Sequence, residues 1–137
     1  MKLLMQGMRR SGTTIIYDAL CQDTELKTWY EPLAAAKKST LGGGSGVQAK
    51  DLFEPLRVVR EEFAGLNDIE DHDVFNYGAP KDAELEFSGT LSPLAFEYLS
   101  FLLGKSDSFM AKFTRMYCKV AVLKSLCPDG VFVHLVR

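Results

Sequence analysis

The residues best suited to chemistry lie in one short loop near the start of the chain. Gly7 to Thr14 read G-M-R-R-S-G-T-T, and the two glycines have the G-x-x-x-x-G spacing of a phosphate-binding loop. Such glycines let the backbone turn so that successive N–H groups and a helix N-terminus point at one anion. Ser11 and Thr13 add hydroxyl groups, and Arg10 adds a positive charge inside the loop. The pattern therefore predicts an anion-binding site.

Two other interpretations of this loop stay open at the level of sequence. In a nucleotide triphosphatase the residue after the second glycine is Lys, and a following Ser or Thr binds Mg²⁺. Thr13 occupies that Lys position here, which disfavours a P-loop nucleotide kinase-like phosphotransferase without removing it. The second alternative is a tight strand-to-helix turn that binds no ligand.

Strand and helix patterns alternate along the chain and predict an α/β fold with a mainly parallel sheet. Apolar or β-branched runs predict strands at 2–8, 28–31, 108–112 and 131–136, and helical spacing predicts helices at 13–22, 52–63, 93–103 and 114–127. Pro55 is expected in the first turn of its helix. In the first helix, Ile15, Ile16, Ala19 and Leu20 share one apolar face. The last strand is apolar on both faces, which is typical of a central parallel strand.

Arg10 to Thr14, R-S-G-T-T, resemble the 5′-phosphosulfate-binding loop of the sulfotransferases that use 3′-phosphoadenosine 5′-phosphosulfate (PAPS). Three further segments resemble that family in the same order: Tyr30-Glu31-Pro32, Lys112-Phe-Thr-Arg115, and the helix, Pro-Asp turn and strand of 126–137. The chain departs from the family pattern at Arg9, where Pro is usual, and at Phe113 and Thr114, which replace a Pro after Lys112. Residues 32–107 match no pattern that we can name.

The resemblance implies a three-layer P-loop-like fold and a metal-free transfer of a sulfuryl group from PAPS, the co-substrate, to an acceptor hydroxyl. It implies that the donor is bound by Arg9, Arg10, Ser11, Gly12, Thr13, Thr14 and Arg137. It also implies Glu31 as the general base, with Lys112 and Arg10 stabilising charge on the transferred group and the leaving oxygen. Sugar, lipid, phenol, peptide and small-alcohol acceptors all stay open.

Two histidines compete with Glu31 as candidate bases, because an unperturbed imidazole titrates near neutral pH. His72 lies in an Asp-His-Asp sequence that is more typical of a solvated acidic loop, and His134 lies within the last strand, where a core histidine is expected. We therefore expect Glu31 to be the base.

We expect residues 1–137 to form a single unit, the N-terminal portion of a sulfotransferase domain, with an incomplete sheet and a mobile glycine-rich loop at 39–50. This expectation follows from the apparently central last strand, which no helix follows in the sequence. A nonenzymatic truncated fragment that exposes the last strand is the third alternative.

Charge and cysteine content narrow the class of protein. The net charge is −2, with basic residues in excess at both ends and acidic residues in excess over 51–86, so the sequence has no basic stripe of the kind that binds nucleic acid. No apolar run approaches the length of a membrane span. Cys21, Cys118 and Cys127 have no C-x-x-C spacing, and we expect them to be buried and reduced, in a cytoplasmic protein without a structural metal.

Overall fold

The computed structural model describes residues 1–7, 12–22, 26–33, 49–69, 87–114, 116 and 118–136. Its elements are, in chain order, β1 (Lys2–Gly7), α1 (Thr13–Leu20), β2 (Lys27–Tyr30), α2 (Ala49–Asn67), α3 (Pro93–Leu103), β3 (Phe109–Phe113), α4 (Val120–Leu126) and β4 (Val131–Leu135). The predicted loop at 39–50 lies outside the described residues except for Ala49 and Lys50, which begin α2.

The four strands form one all-parallel sheet in the order β2-β3-β1-β4. The predicted α/β class and parallel sheet are therefore confirmed. β1 is an inner strand, in which Leu4 lies opposite Ala111 of β3 and Phe132 of β4. β4 was expected at the centre, but it lies at an edge of the described sheet, with Val131 54% exposed. An apolar run shows that a strand can pack on both faces and does not fix its position in the sheet.

Alternate side chains of each strand pack on opposite faces of the sheet, as the strand period requires. One face is covered by α1, whose Tyr17 packs with Leu3, Met5 and Met110. The other face carries the larger core. Its buried members come from strands and from all three remaining helices, and they include Leu4, Trp29, Leu56, Phe63, Tyr98, Leu102, Ala111 and Leu123. The fold thus has helices on both sides of the sheet.

The buried face of α1 differs from the apolar face that the sequence displays. Thr13 and Tyr17 are 4% and 1% exposed, whereas Ile15 is 75% exposed and Leu20 is 38% exposed. The reason is the Tyr17 ring, which packs edge-on against Tyr30 with 5.0 Å between ring centroids. A large aromatic ring buries more area than an aliphatic side chain, so Tyr17 rather than the isoleucines sets the orientation of the helix.

Two helices differ from their predicted bounds by three residues or more. α2 begins before Leu52, which places Pro55 inside the helix instead of in its first turn. α4 begins at Val120 instead of Thr114, because Met116 (2% exposed) and Lys119 (0% exposed) are buried from non-helical backbone ahead of it. The helical spacing of the apolar residues therefore continues past the end of the helix itself. α3 has the predicted bounds, and Ser92 caps it by accepting from the Ala95 N–H at 3.2 Å.

The prediction that all three cysteines are buried is correct for one of them. Cys127 is buried, Cys21 is half-buried and Cys118 is exposed. All three are free thiols.

Candidate functional site

The carboxyl ends of β1 and β3 lie side by side at one edge of the sheet. The two strands are neighbours, and Gln6 of β1 lies opposite Phe113 of β3. The chain leaves β1 toward α1 on one face of the sheet and leaves β3 toward α4 on the other face. A point where connections diverge to opposite faces is where open parallel sheets bind their ligands. A ligand-binding site is therefore expected among the residues that follow these two strands.

The first of these elements is the N-terminus of α1. Gly12 precedes the helix with φ 85°, in the left-handed region that favours glycine, and its carbonyl oxygen accepts from the Ile16 N–H at 3.3 Å. No side chain of the N-cap residue covers the first turn, and no acidic side chain lies within it. Among the described residues, neither a side-chain cap nor an acid in the first turn therefore neutralises the partial positive charge of this helix end.

An ion pair joins the ends of β2 and β3. The Lys112 ammonium donates to Glu31 Oε1 at 2.6 Å, and the Thr114 hydroxyl donates to Glu31 Oε2 at 2.9 Å. The Lys112 side chain is 1% exposed and that of Glu31 is 18% exposed. Both carboxylate oxygens are thus held by donors, while one side of the carboxylate stays open to solvent. The structure brings together two residues that lie 81 positions apart in the sequence.

The backbone of Glu31 reinforces this placement. Its φ is 48°, an uncommon conformation for a residue other than glycine. Its N–H donates to the Lys112 carbonyl oxygen at 2.8 Å, which extends the β2–β3 pairing by one bond past the end of β2. Holding a non-glycine residue in this region costs on the order of 1 kcal/mol or more, and such residues cluster at binding and catalytic sites.

Tyr30 connects the ion pair to α1. The Lys112 ammonium lies over the Tyr30 ring, 4.3 Å from its centroid, in a cation–π contact. The Tyr30 and Thr14 hydroxyl groups are 3.3 Å apart, within hydrogen-bonding distance. Side chains from α1, β2 and β3 therefore form one continuous polar group at the carboxyl edge. Tyr17 packs beneath it, and burial raises the pKa of Tyr17, which keeps that phenol protonated.

A second polar pair lies at the same edge between β1 and β4. Gln6 is 4% exposed, and its Nε2 lies 3.1 Å from Nδ1 of His134, its register partner on β4. His134 was expected to be a core histidine, but its ring is exposed. An edge strand leaves the alternate side chains of its carboxyl end open to solvent, which explains the difference.

The predicted site residues fall into two groups. Gly12, Thr13, Thr14, Glu31 and Lys112 are described and lie at the carboxyl edge. Arg9, Arg10, Ser11 and Arg137 lie outside the described residues, as does the rival base His72. Within the described part, sequence reasoning missed the three contacts made by Tyr30, Thr114 and Gln6. Their only sequence signal is that each immediately adjoins or closely follows a predicted site residue or loop.

Among the residues that the structure describes, no group of three or more His, Cys, Asp or Glu side chains is arranged to hold a metal ion. None of the described helices combines the length and the apolar character that crossing a membrane demands. Comparison with known proteins gives no match to any family model, to any curated protein or to any solved structure.

Proposed function

We propose that this chain is a sulfotransferase, which transfers a sulfuryl group from PAPS to an acceptor hydroxyl. The observation that carries the proposal is the contact of Glu31 with Lys112, 2.6 Å apart, at the sheet edge where the R-S-G-T-T sequence leads into α1. A carboxylate and a cation beside an anion-binding loop are the groups that sulfuryl transfer uses. The order of these segments in the chain also supports the family resemblance.

The loop of 9–14 binds the 5′-phosphosulfate, with the N-terminus of α1 and Arg10 supplying positive charge. Arg137, after β4, binds the 3′-phosphate. By analogy with phosphoryl transfer, the chemistry is mainly charge placement, because the transferred group carries its negative charge on peripheral oxygens. One preorganised donor at such an oxygen contributes about 3 to 4 kcal/mol to the transition state. Arg10 is our choice for that donor.

The reaction forms one bond and breaks one. The acceptor oxygen attacks sulfur, and the bond from sulfur to the bridging phosphate oxygen breaks in line with it. The acceptor hydroxyl proton passes to Glu31, and the electron pair of the broken bond leaves with 3′,5′-adenosine bisphosphate. Glu31 suits the role of base because its carboxylate is 18% exposed and therefore accessible to an acceptor.

Lys112 interacts with two anionic groups in turn during this reaction, the Glu31 carboxylate and the leaving oxygen. In the free protein its ammonium donates to Glu31 Oε1. As charge grows on the leaving oxygen, the ammonium turns toward that oxygen and releases Oε1 to take the acceptor proton. Thr114 keeps its hydrogen bond to Oε2 and so holds the carboxylate in place during the exchange.

Calorimetric titration of the 137-residue chain tests this function. The ligands are 3′,5′-adenosine bisphosphate and, separately, ATP with Mg²⁺. Arg10→Ala removes the predicted loop cation, and Arg57→Ala is the matched control, because Arg57 is a 54% exposed arginine of α2. We expect the bisphosphate to bind the parent chain and Arg57→Ala equally, and to bind Arg10→Ala at least tenfold more weakly.

Either of two results would overturn the proposal. Preference for ATP with Mg²⁺ would indicate a kinase-like phosphotransferase on the same loop. Absence of binding by the folded parent chain would show that the loop is a turn without a nucleotide ligand.

A further inference from the structure

The side-chain amide of Gln6 is buried and only half satisfied. Gln6 is 4% exposed, and its Oε1 is a buried oxygen that has no hydrogen-bond partner among the described residues. Its Nε2 lies 3.1 Å from His134 Nδ1. An amide nitrogen can only donate, so in this orientation of the amide the His134 Nδ1 accepts the hydrogen bond. Turning the amide over would satisfy Oε1 and leave Nε2 buried without a partner, so one end is unsatisfied in either orientation.

The unsatisfied end of the amide has a free-energy cost in the free protein. A buried carbonyl oxygen without a partner lowers the stability of the folded state, and an apolar side chain of the same shape would avoid that loss. The neighbouring inward residue of β1, Leu4, is apolar and packs in the larger core. Buried unsatisfied groups in native proteins are rare enough that each one needs an explanation.

The position of the amide supplies one. Gln6 immediately precedes Gly7, where β1 ends and the loop of 8–12 begins, and His134 lies beside it in register on β4. In the proposed function, the loop after β1 binds the 5′-phosphosulfate and Arg137 after β4 binds the 3′-phosphate. The ribose joins these two phosphates, so the nucleoside must cross the ends of β1 and β4. Gln6 and His134 lie at that crossing.

We propose that Gln6 contacts the nucleoside of the sulfate donor, and that its Oε1 accepts a hydrogen bond from an O–H or N–H group of that nucleoside. His134 is the positioning residue: by accepting from the amide nitrogen it directs the carbonyl oxygen toward the ligand. This inference rests on the proposed function and adds a pair of residues that recognise the nucleoside rather than its phosphates. Ligand binding then completes the hydrogen bonding of the buried amide.

Gln6→Met tests the contact, because Met has a similar shape and cannot accept this bond well. Gln22→Met is the matched control, since Gln22 is exposed beyond the end of α1. We expect Gln6→Met to bind 3′,5′-adenosine bisphosphate about 3- to 10-fold more weakly, the effect of one neutral hydrogen bond. Its thermal unfolding midpoint without ligand should equal or exceed that of the parent chain. A residue needed only for folding would lower the midpoint instead.

Two ligand analogues identify the group that donates. The 2′-deoxy analogue lacks the ribose hydroxyl, and the inosine analogue lacks the exocyclic amine. The analogue that lacks the donor to Gln6 should bind the parent chain more weakly than the bisphosphate does. That analogue should bind Gln6→Met and the parent chain equally, because the change in the ligand and the change in the protein remove the same hydrogen bond. His134→Ala should weaken binding of the parent nucleotide and leave binding of that analogue unchanged.

Two results overturn the inference while the proposed function stands. One is equal binding of the bisphosphate by Gln6→Met and the parent chain. The other is a loss in Gln6→Met that persists in full with both analogues. If the parent chain binds no bisphosphate, the proposed function fails first and the inference fails with it.

Discussion

The Glu31–Lys112 pair should be strongly coupled in the free energy of unfolding. Glu31→Gln leaves an ammonium that is 1% exposed without a counter-charge, which we expect to cost about 3 kcal/mol or more. Lys112→Met leaves a carboxylate that is 18% exposed and keeps its bond from Thr114, so we expect a smaller loss of about 2 kcal/mol. The double variant buries no unpaired charge. Its loss should therefore fall short of the sum of the single losses by about 2 to 3 kcal/mol.

A second ion pair in the chain provides the control. Lys105 and Glu62 have the same N–O distance of 2.6 Å, but their side chains are 30% and 48% exposed. Their coupling energy, from Lys105→Met and Glu62→Gln, should be below about 1 kcal/mol. Urea unfolding followed by the fluorescence of Trp29, the single and fully buried tryptophan, measures both cycles. If the coupling energy between Glu31 and Lys112 is no larger than that between Glu62 and Lys105, the prediction of a strongly coupled buried ion pair is wrong.

Three further predictions address the fold away from the site. Gly130→Ala would bring a Cβ within 2.7 Å of Leu4 Cδ1 and 2.8 Å of Cys127 Sγ, both on buried side chains, and should cost about 1 to 3 kcal/mol in chemical denaturation. The matched Gly65→Ala in α2 meets no atom within 4 Å and should stabilise by about 0.5 to 1 kcal/mol; equal effects would contradict the packing. The hydrogen bond from Lys2 lowers the pKa of Asp129 below 3.8, so the pair stabilises the fold above that pH and this contribution is lost as the pH falls through the lowered value. Carbon-13 NMR titration should find that the Asp129 pKa is lowered in the parent chain and is higher in Lys2→Met, because the largest cause of the lowering is removed. Equal Asp129 pKa values in the two chains would contradict the contact.

The elements of this fold follow from sequence to the extent that local patterns determine them. The strand at the N-terminus, the helix that Ser92 caps and the strand after the Pro-Asp-Gly turn all have local signals, and all are found within a residue or two of the predicted bounds. Properties set by tertiary packing were not predicted. The orientation of α1 depends on Tyr17 meeting Tyr30 from another strand, and the late start of α4 depends on the burial of Lys119, whose ammonium donates to the Ser88 carbonyl oxygen at 2.9 Å.

The candidate site shows the same division. The loop and the Tyr-Glu-Pro segment could be singled out in the sequence, because residue type and spacing carry the signal. The direct pairing of Glu31 with Lys112 could not, since it needs β3 to lie between β1 and β2 in the sheet. The hydrogen bond between Gln6 and His134 likewise needs the register of β1 against β4, which no local pattern specifies.

We propose that the carboxyl edge of this sheet binds a nucleotide with 5′- and 3′-phosphate groups. The most direct test of this proposal is an amide ¹H–¹⁵N NMR titration of the parent chain with 3′,5′-adenosine bisphosphate. We expect saturable shifts of the Gly12, Thr13 and Thr14 amide resonances, and shifts of the Glu31 and Lys112 resonances at the same ligand concentrations. Amide resonances at the far end of the sheet, such as that of Phe109, should not shift. Shifts that avoid the first turn of α1, or that appear only with ATP and Mg²⁺, would contradict the proposal.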